Sequence, residues 1–225
     1  MIYISRKIRM KILVAVLSCN KHAHLWEKIV AKPITDLIIF TGGSETTYYE
    51  TKKKVLHLKC NDFYEGLPEK MVLMIEYVLQ STFFSDITHI IKIDDHDNVF
   101  TAKNIEKLYS LEELKKHHYI GQKLNTRNLY PWQWCDGNKY HIGKVSKNSY
   151  WYDKYYSGGY LPWVDGGCSY ILSKSALKCI NSWYNSSNIE ELRRKEIFED
   201  VMMGKILYHH NIFPKIMNYG VIGDK

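Results

Sequence analysis

With 225 residues, 45% of them hydrophobic, and no Pro/Gly/Ser-rich linker, the chain has the length and apolar content of one large α/β domain that buries its own core. Its cysteines, Cys19, Cys60, Cys135, Cys168 and Cys179, are scattered without a Cys-x-x-Cys pair, which argues against a zinc knuckle or a secreted disulfide framework and fits a reducing compartment. The formal charge of +7 comes from dispersed lysines such as Lys52-Lys53-Lys54 and Lys115-Lys116, a solvated surface rather than a nucleic-acid stripe, though one that welcomes an anionic ligand.

The aliphatic run 12–17 is far short of the ~20 apolar residues of a membrane span, and it reads as a first, buried strand. Arg6, Lys7, Arg9 and Lys11 before it mimic a signal peptide, but Ser18-Cys19-Asn20-Lys21 is a poor cleavage site. No anchor and a cytoplasmic location are expected. A helix is predicted over 21–31, ended before Pro33, then an apolar strand over 36–41 closed by Gly42-Gly43 and a shorter strand over 54–58. Pro68 opens a helix over 68–82, where Met71, Met74, Ile75, Val78 and Leu79 recur at three- and four-residue steps. That stripe reads as core packing, not a cofactor box.

The run 87–93 is the most informative. It reads as a central strand buried on both faces, and it leads directly into Asp94, Asp95, His96 and Asp97. In open α/β sheets ligands collect beyond the carboxyl ends of such strands. Clustered carboxylates repel one another unless a cation neutralises them, and the Asp-x-Asp spacing of Asp95 and Asp97 suits Mg²⁺ or Mn²⁺ better than zinc. A solvated acidic turn before the helix that starts near Thr101 is the alternative; the strand ahead of it favours metal.

Beyond it, 102–117 reads as a charged helix and 118–124 as a strand. The span 125–162 is rich in Tyr, Trp, Asn and Gly with little periodicity, as in a lid or functional region. Trp132, Trp134, Tyr140, Trp151, Tyr152, Tyr155, Tyr156, Tyr160 and Trp163 each suit a roof over the core; as a group they suit a sugar platform, and nucleobase stacking would look much the same. Gly166-Gly167 then makes a turn before a short strand and a helix capped by Ser173. Paired glycines either punctuate a turn or let a ligand approach the main chain. Glu199 and Asp200 open a last helix, where the dipole alone would favour acids.

The order of these motifs resembles the beta-1,3-galactosyltransferase and fringe family, most of all its core-1 galactosyltransferase branch. A strand ending in Lys-x-Asp-Asp-Asp resembles Lys92-Ile93-Asp94-Asp95-His96-Asp97, and Gly-Gly-Ala-Gly-Tyr-Val-Leu-Ser resembles Gly166-Gly167-Cys168-Ser169-Tyr170-Ile171-Leu172-Ser173. Glu-Asp-Val-x-x-Gly is matched by Glu199-Asp200-Val201-Met202-Met203-Gly204, and Tyr-x-Asn-Leu-x-x-Lys is echoed by Tyr64-Glu65-Gly66-Leu67-Pro68-Glu69-Lys70.

The resemblance implies a GT-A-type αβα sandwich with a mostly parallel sheet. Its donor-binding half would span about 11–100, and its aromatic-rich acceptor and catalytic half about 101–225. It implies inverting transfer from a UDP-sugar to a carbohydrate acceptor, with Mn²⁺ (or Mg²⁺) on the diphosphate. Ser18, Cys19, Asn20, Lys70, Asp94 and Asp95 are then expected at the donor, Asp95 and Asp97 at the metal, and Trp163, Asp165, Gly166 and Gly167 at the substrate. Asp200 is the expected base, with Glu199 in reserve. The family's third Asp falls on His96 or Asp97. Its metal-binding His beyond the last helix has only His209 and His210 to match it, and its amino-terminal Arg-rich pattern is absent. The Golgi anchor and stem are missing too, which implies an untethered enzyme of a bacterium or a virus, in the host cytoplasm if viral. Two alternatives remain: a nucleotidyl- or phosphotransferase using the same acids, which should show a Gly-rich or Lys/Arg phosphate cradle, and a sugar-binding module without catalysis, which would lose the acids.

Overall fold

Two aliphatic runs pair at the centre of the sheet. In the computed structural model, which describes residues 10–96, 100–125 and 139–220, β1 (Ile12–Leu17) and β5 (His89–Asp94) lie parallel, with Val14 opposite Ile91 and Leu17 opposite Asp94. Asp97, Trp132, Trp134 and Cys135 fall outside the described residues. On one side of β1 come the parallel strands β2 (Leu37–Thr41) and β4 (Val55–His57), then the antiparallel edge strand β3 (Tyr48–Glu50). On the other side of β5, β9 (Tyr170–Ser173) runs antiparallel to both β5 and β6 (Tyr119–Gly121), and β10 (Lys215–Ile216) closes the edge parallel to β6. The described residues thus give an eight-stranded, mostly parallel sheet in the order β10-β6-β9-β5-β1-β2-β4-β3. A separate two-stranded ladder joins β7 (Leu124–Asn125) to β8 (Trp163–Val164).

Because side chains alternate along a strand, β1 sends Leu13, Ala15 and Leu17 to one layer and Ile12, Val14 and Val16 to the other. The first layer is covered by α2 (Leu67–Gln80), α5 (Lys174–Trp183), α6 (Ile189–Lys195) and α7 (Glu199–His209). The Met-rich stripe of α2 lies inside it, with Met71, Met74 and Ile75 buried. The second layer is covered by α1 (Trp26–Val30), α3 (Ala102–Leu108) and α4 (Glu113–Lys116), completing an αβα sandwich. A third cluster, Val145, Trp151, Tyr156, Trp163, Ile197, Phe198 and Val201, sits beneath the aromatic segment. No helix among the described residues is long and apolar enough to cross a membrane.

Three elements differ from expectation. The helix predicted over 21–31 is a 3-10 turn, Asn20–Leu25, before α1, because Asn20 and His22 are drawn sideways to Asp62 and Asp95 instead of extending an α-helix. The helix over 102–117 breaks into α3 and α4, with the Ser110 hydroxyl donating back to the Lys107 carbonyl at 2.7 Å where the first piece ends. The strand over 118–124 divides at Gln122 and Lys123, so that β6 joins the large sheet and β7 the small one. Gln122 Nε2 donates to the Cys168 carbonyl at that division.

Candidate active site

Parallel strands β1, β2, β4 and β5 end on the same edge of the sheet, and a cavity of about 890 Å³ opens there. Its wall includes Ser18, His22, Asp94, Asp95, Trp163, Asp165, Gly166, Gly167, Glu199 and Asp200. Residues separated by more than a hundred positions meet because β9 runs antiparallel to β5: Tyr170 pairs with Lys92, so the turn before Tyr170 must lie over the end of β5.

Lys92 ties that junction together. It is only 2% exposed, and its ammonium donates to the Gly166 carbonyl at 3.0 Å while lying 2.6 Å from Asp94 Oδ1 and 3.8 Å from Glu199 Oε2. Burial opposes its charge, but Asp94 and Glu199 outweigh burial and hold its pKa above the usual lysine value. Glu199 is buried as well, and the Tyr170 hydroxyl donates to it. Burial pushes the Glu199 carboxyl up to about 7, with Lys92 pulling it back and Asp200 adding to the rise.

Asp200 is placed differently. Gly166 N–H donates to its Oδ2 at 3.1 Å and Val201 N–H to its Oδ1 at 2.8 Å, within the first turn of α7. Burial raises its pKa, and these two amides work against the rise by stabilising the anion. The glycines of both motifs have steric reasons. A Cβ on Gly166 would sit 3.0 Å from Glu199 Oε2 and 3.1 Å from Asp200 Cβ; a Cβ on Gly204 would meet the Pro162 carbonyl at 2.8 Å and the Trp163 side chain closer still. Without a side chain at 204, α7 can lie flush against β8 and bring its acidic start to the cavity.

At the ends of β5 and β1, Asp95 is 4% exposed; its Oδ2 accepts from the Ser18 hydroxyl at 2.6 Å and lies 2.8 Å from His22 Nδ1. Trp26 Nε1 donates in turn to Ser18 Oγ at 2.7 Å. Lys70 does not reach the cavity. At 1% exposure it donates to the Ser18 and Asp62 carbonyls at 2.9 and 3.1 Å and pairs with Asp62 Oδ1 at 2.6 Å. Asp62 also accepts from the Asn20 and Gly42 amides and the Thr41 hydroxyl. Burial works against the anion, but Lys70 and these amides hold Asp62 below the usual carboxylate range. Cys19 and Asn20 stand on this tied loop without lining the cavity.

Sequence reasoning missed Asp62, His22 and Lys92 as members of this network. Only the Lys-x-Asp-Asp spacing hinted at Lys92. Of the aromatics, Tyr140, Tyr160 and Trp163 line the cavity, with Tyr160 and Trp163 5.6 Å apart and inclined by 33°. Burial, with Asp200 nearby, pushes the Tyr160 phenol up to about 12, so it stays a hydroxyl. Trp151 and Tyr156 are buried roof, whereas Tyr152 and Tyr155 are exposed.

The description Galactosyltransferase matches residues 45–218, more than half of the chain, and this span holds the ends of β5, β9 and α7 together. The chain belongs to the galactosyltransferase family. It is therefore a glycosyltransferase, with a sugar-nucleotide donor and a carbohydrate acceptor, carried on the αβα sandwich described above. Ser18, Cys19 and Asn20 precede the matched span. No curated protein matches. Among solved structures, the chain is similar to a cytidylyltransferase from Leptospira borgpetersenii serovar Hardjo-bovis, with 9% identity, 94% of this chain and 78% of that one covered, and a TM-score of 0.43. It is also similar to mouse xyloside xylosyltransferase 1 in its apo form, with 14% identity, 92% and 84% covered, and a TM-score of 0.36.

The donor set at the end of β5 fits a hard divalent cation in its chemistry. Asp94 Oδ1 is buried and accepts no well-aligned hydrogen bond, although Lys92 lies close; Asp95 Oδ2 is fully engaged, while Oδ1 lies 3.7 Å from His96 Nδ1. No cluster of three or more His, Cys, Asp or Glu arranged for a metal occurs among the described residues, which exclude Asp97. A cation that keeps several waters or substrate oxygens asks for only one or two protein carboxylates. His209 and His210 are not near it. They pack on Trp183 at the far end of α7, with ring centroids 5.3 and 6.0 Å away.

Proposed function

We propose that this galactosyltransferase-family enzyme moves a hexose or N-acetylhexosamine from a UDP-sugar to a hydroxyl of a glycan or glycoconjugate, with inversion and with Mn²⁺ or Mg²⁺ at the diphosphate. The observation that carries the reading is one cavity lined both by Asp94 and Asp95 and by Glu199 and Asp200. Asp95, with Asp97, would hold the cation, which offsets negative charge developing on the leaving diphosphate.

The remaining work falls to the chain. Ser18 and His22 fix the Asp95 carboxylate in one orientation, and Lys70 with Asp62 fixes the loop that carries Ser18, Cys19 and Asn20, the proposed uridine side. Lys92 neutralises Asp94, which limits repulsion between neighbouring acids and an anionic donor. Trp163 and Tyr160 offer ring faces to the acceptor sugar, and Gly166 and Gly167 let it approach the main chain. Asp200 takes the acceptor hydroxyl proton as the hydroxyl attacks. Its two amide donors favour the anion against the rise that burial imposes, whereas Glu199 is spent on Lys92 and Tyr170.

The two lysines that line the cavity do not form the phosphate cradle that a nucleotidyl- or phosphotransferase asks for: Lys92 is committed to Asp94, and Lys123 lies 3.4 Å from Asp165. The test is calorimetry of UDP with Mn²⁺. Wild type should bind only with the metal present, and Asp95→Asn should lose that binding. Undiminished metal-dependent binding by Asp95→Asn would remove Asp95 from the site.

A further inference from the structure

Some surface lysines are paired with carboxylates: Lys53 with Glu50, Lys115 with Glu112, Lys116 with Glu113 and Lys195 with Glu191. The segment 139–160 is built differently. It carries Lys139, Lys144, Lys147 and Lys154 against one acid, Asp153. Three of these ammoniums lie over tyrosine rings: Lys139 at 4.8 Å from the Tyr155 centroid, Lys144 at 3.1 Å from Tyr140, and Lys154 at 3.4 Å from Tyr150. None of the four lysines has a carboxylate partner among the described residues. A ring face orients an ammonium through its quadrupole without cancelling its charge. Lys139, Lys144 and Lys154 are therefore positioned, and among the described residues no carboxylate pairs with them.

Of the four, Lys144 stands beside the cavity. Tyr140 lines it and packs 6.4 Å from Phe198, the residue before Glu199. Lys144 is 5.5 Å from the ring of Tyr64, which lines the cavity too. The segment is pinned rather than loose: Val145, Trp151 and Tyr156 are buried, Trp151 Nε1 donates to the Arg193 carbonyl, and His141 Nε2 lies 2.7 Å from the Lys154 carbonyl.

We propose that the acceptor is an anionic glycan or glycoconjugate, whose sugar lies on Trp163 and Tyr160 while a phosphate, sulfate or carboxylate near it meets the ring-held lysines, Lys144 first. The inference rests on the glycosyl-transfer reading and narrows its acceptor. The acids facing the cavity repel an anion at the reacting hydroxyl itself, so the charged group belongs at the mouth, one substituent or one sugar away. A nucleic acid would ask for cations spaced along a track to follow its backbone; here one ring-held lysine, Lys144, is placed beside the cavity.

The test uses the full chain on a glycan array in which each neutral oligosaccharide stands beside its sulfated, phosphorylated and uronate-bearing counterparts. Binding to at least one charged series should exceed binding to its neutral partner by about tenfold at low ionic strength and fade with added salt. The preferred series identifies the anion. The variant K139Q/K144Q/K154Q should lose the preference, and the corresponding triple arginine variant should keep it. Equal binding to neutral and charged partners, a preference that survives the glutamine variant, or capture of single-stranded RNA in place of any glycan would overturn the inference. UDP–Mn²⁺ calorimetry on the same preparations separates the two readings: normal nucleotide binding without an anionic preference sinks only the acceptor class, and an anionic preference without nucleotide binding sinks only the donor.

Discussion

The two ends of the cavity are made by different means. At the proposed donor end, Ser18 and Asp95 stand just past the ends of β1 and β5 and are joined by a 2.6 Å hydrogen bond, and behind them Lys70 of α2 pairs with Asp62 at 2.6 Å. At the proposed acceptor end, the walls are aromatic rings, among them Tyr140, Tyr160 and Trp163, together with the first turn of α7. Strand termini fix a position through backbone register; rings fix it only through mutual packing. The proposed donor end is thus suited to hold one invariant ligand, and the proposed acceptor end is where changes of sequence can alter specificity with little cost to the sheet.

The junction between these ends should be the most sensitive place for chemistry. Asp200→Asn is expected to cut turnover by about 10²–10⁴-fold while leaving donor binding intact. The amide keeps one acceptor for the Gly166 or Val201 N–H but turns its other end into a donor, so some stability will also be lost. Turnover must be compared at saturating donor and matched folded fraction. Near wild-type turnover under those conditions would move the base to Glu199.

Glu199 should instead show itself through pH. Its carboxyl sits at about 7 in the folded chain against an ordinary value of 4.5. The native state therefore holds a proton that the unfolded chain has released between those values, and stability falls as pH rises through that window, then levels off. At roughly 1.4 kcal/mol per pKa unit the fall is on the order of 3 kcal/mol. Glu199→Gln keeps an acceptor for the Tyr170 hydroxyl and leaves Asp94 as the counter-ion of Lys92, so the fold should survive and the slope should flatten. Thermal unfolding from pH 4.5 to 8 checks this; an unchanged slope in the variant would assign the dependence elsewhere.

The donor end was also the more legible one. Aliphatic runs at 12–17, 36–41 and 87–93 gave β1, β2 and β5, and the acids after β5 lie where strand polarity places ligands. What the residues could not reveal was pairing across long separations: that β9 is antiparallel and sets Gly166 over Lys92, that Asp62 gathers the ends of β1 and β2, or that α6 and β10 exist at all. The motif resemblance, not periodicity, gave Gly166 and Asp200 their expected roles. Short elements such as β3 and β8 are formed by partners supplied from elsewhere in the chain, and their local sequence carries little signal.

Gly204 offers a smaller test of how the acceptor end is joined to the sheet. In a free helix, Gly→Ala would gain about 1 kcal/mol. Here the new Cβ would run into the Pro162 carbonyl at 2.8 Å and into Trp163, and overpacking against backbone costs about 1–3 kcal/mol. The collision should win. Gly204→Ala is expected to lower the urea midpoint and to perturb Trp163 fluorescence, whereas a stabilised variant would mean that α7 and β8 stand further apart.

The smallest expected effect has the opposite sign. Ser169 stands where the galactosyltransferase pattern has glycine, and its backbone takes φ 65° and ψ 157°, a region that side chains other than glycine's rarely enter. Holding a serine there costs about 1–3 kcal/mol. The serine hydroxyl shares a buried hydrogen bond with the Tyr219 hydroxyl at 2.8 Å, and such a bond contributes about 0.5–1.5 kcal/mol net. Ser169→Gly relieves the first and loses the second, and it also gives the unfolded chain more freedom, at about 0.5–1 kcal/mol. The strain is the largest of the three, so the variant should come out level to about 1 kcal/mol more stable by denaturant unfolding. Ser169→Ala separates the terms, because it keeps the strain and drops the hydrogen bond; it should be the least stable of the three. If alanine proved as stable as glycine, backbone strain at 169 would not be a feature of this turn, and the position's serine would be explained by Tyr219 alone.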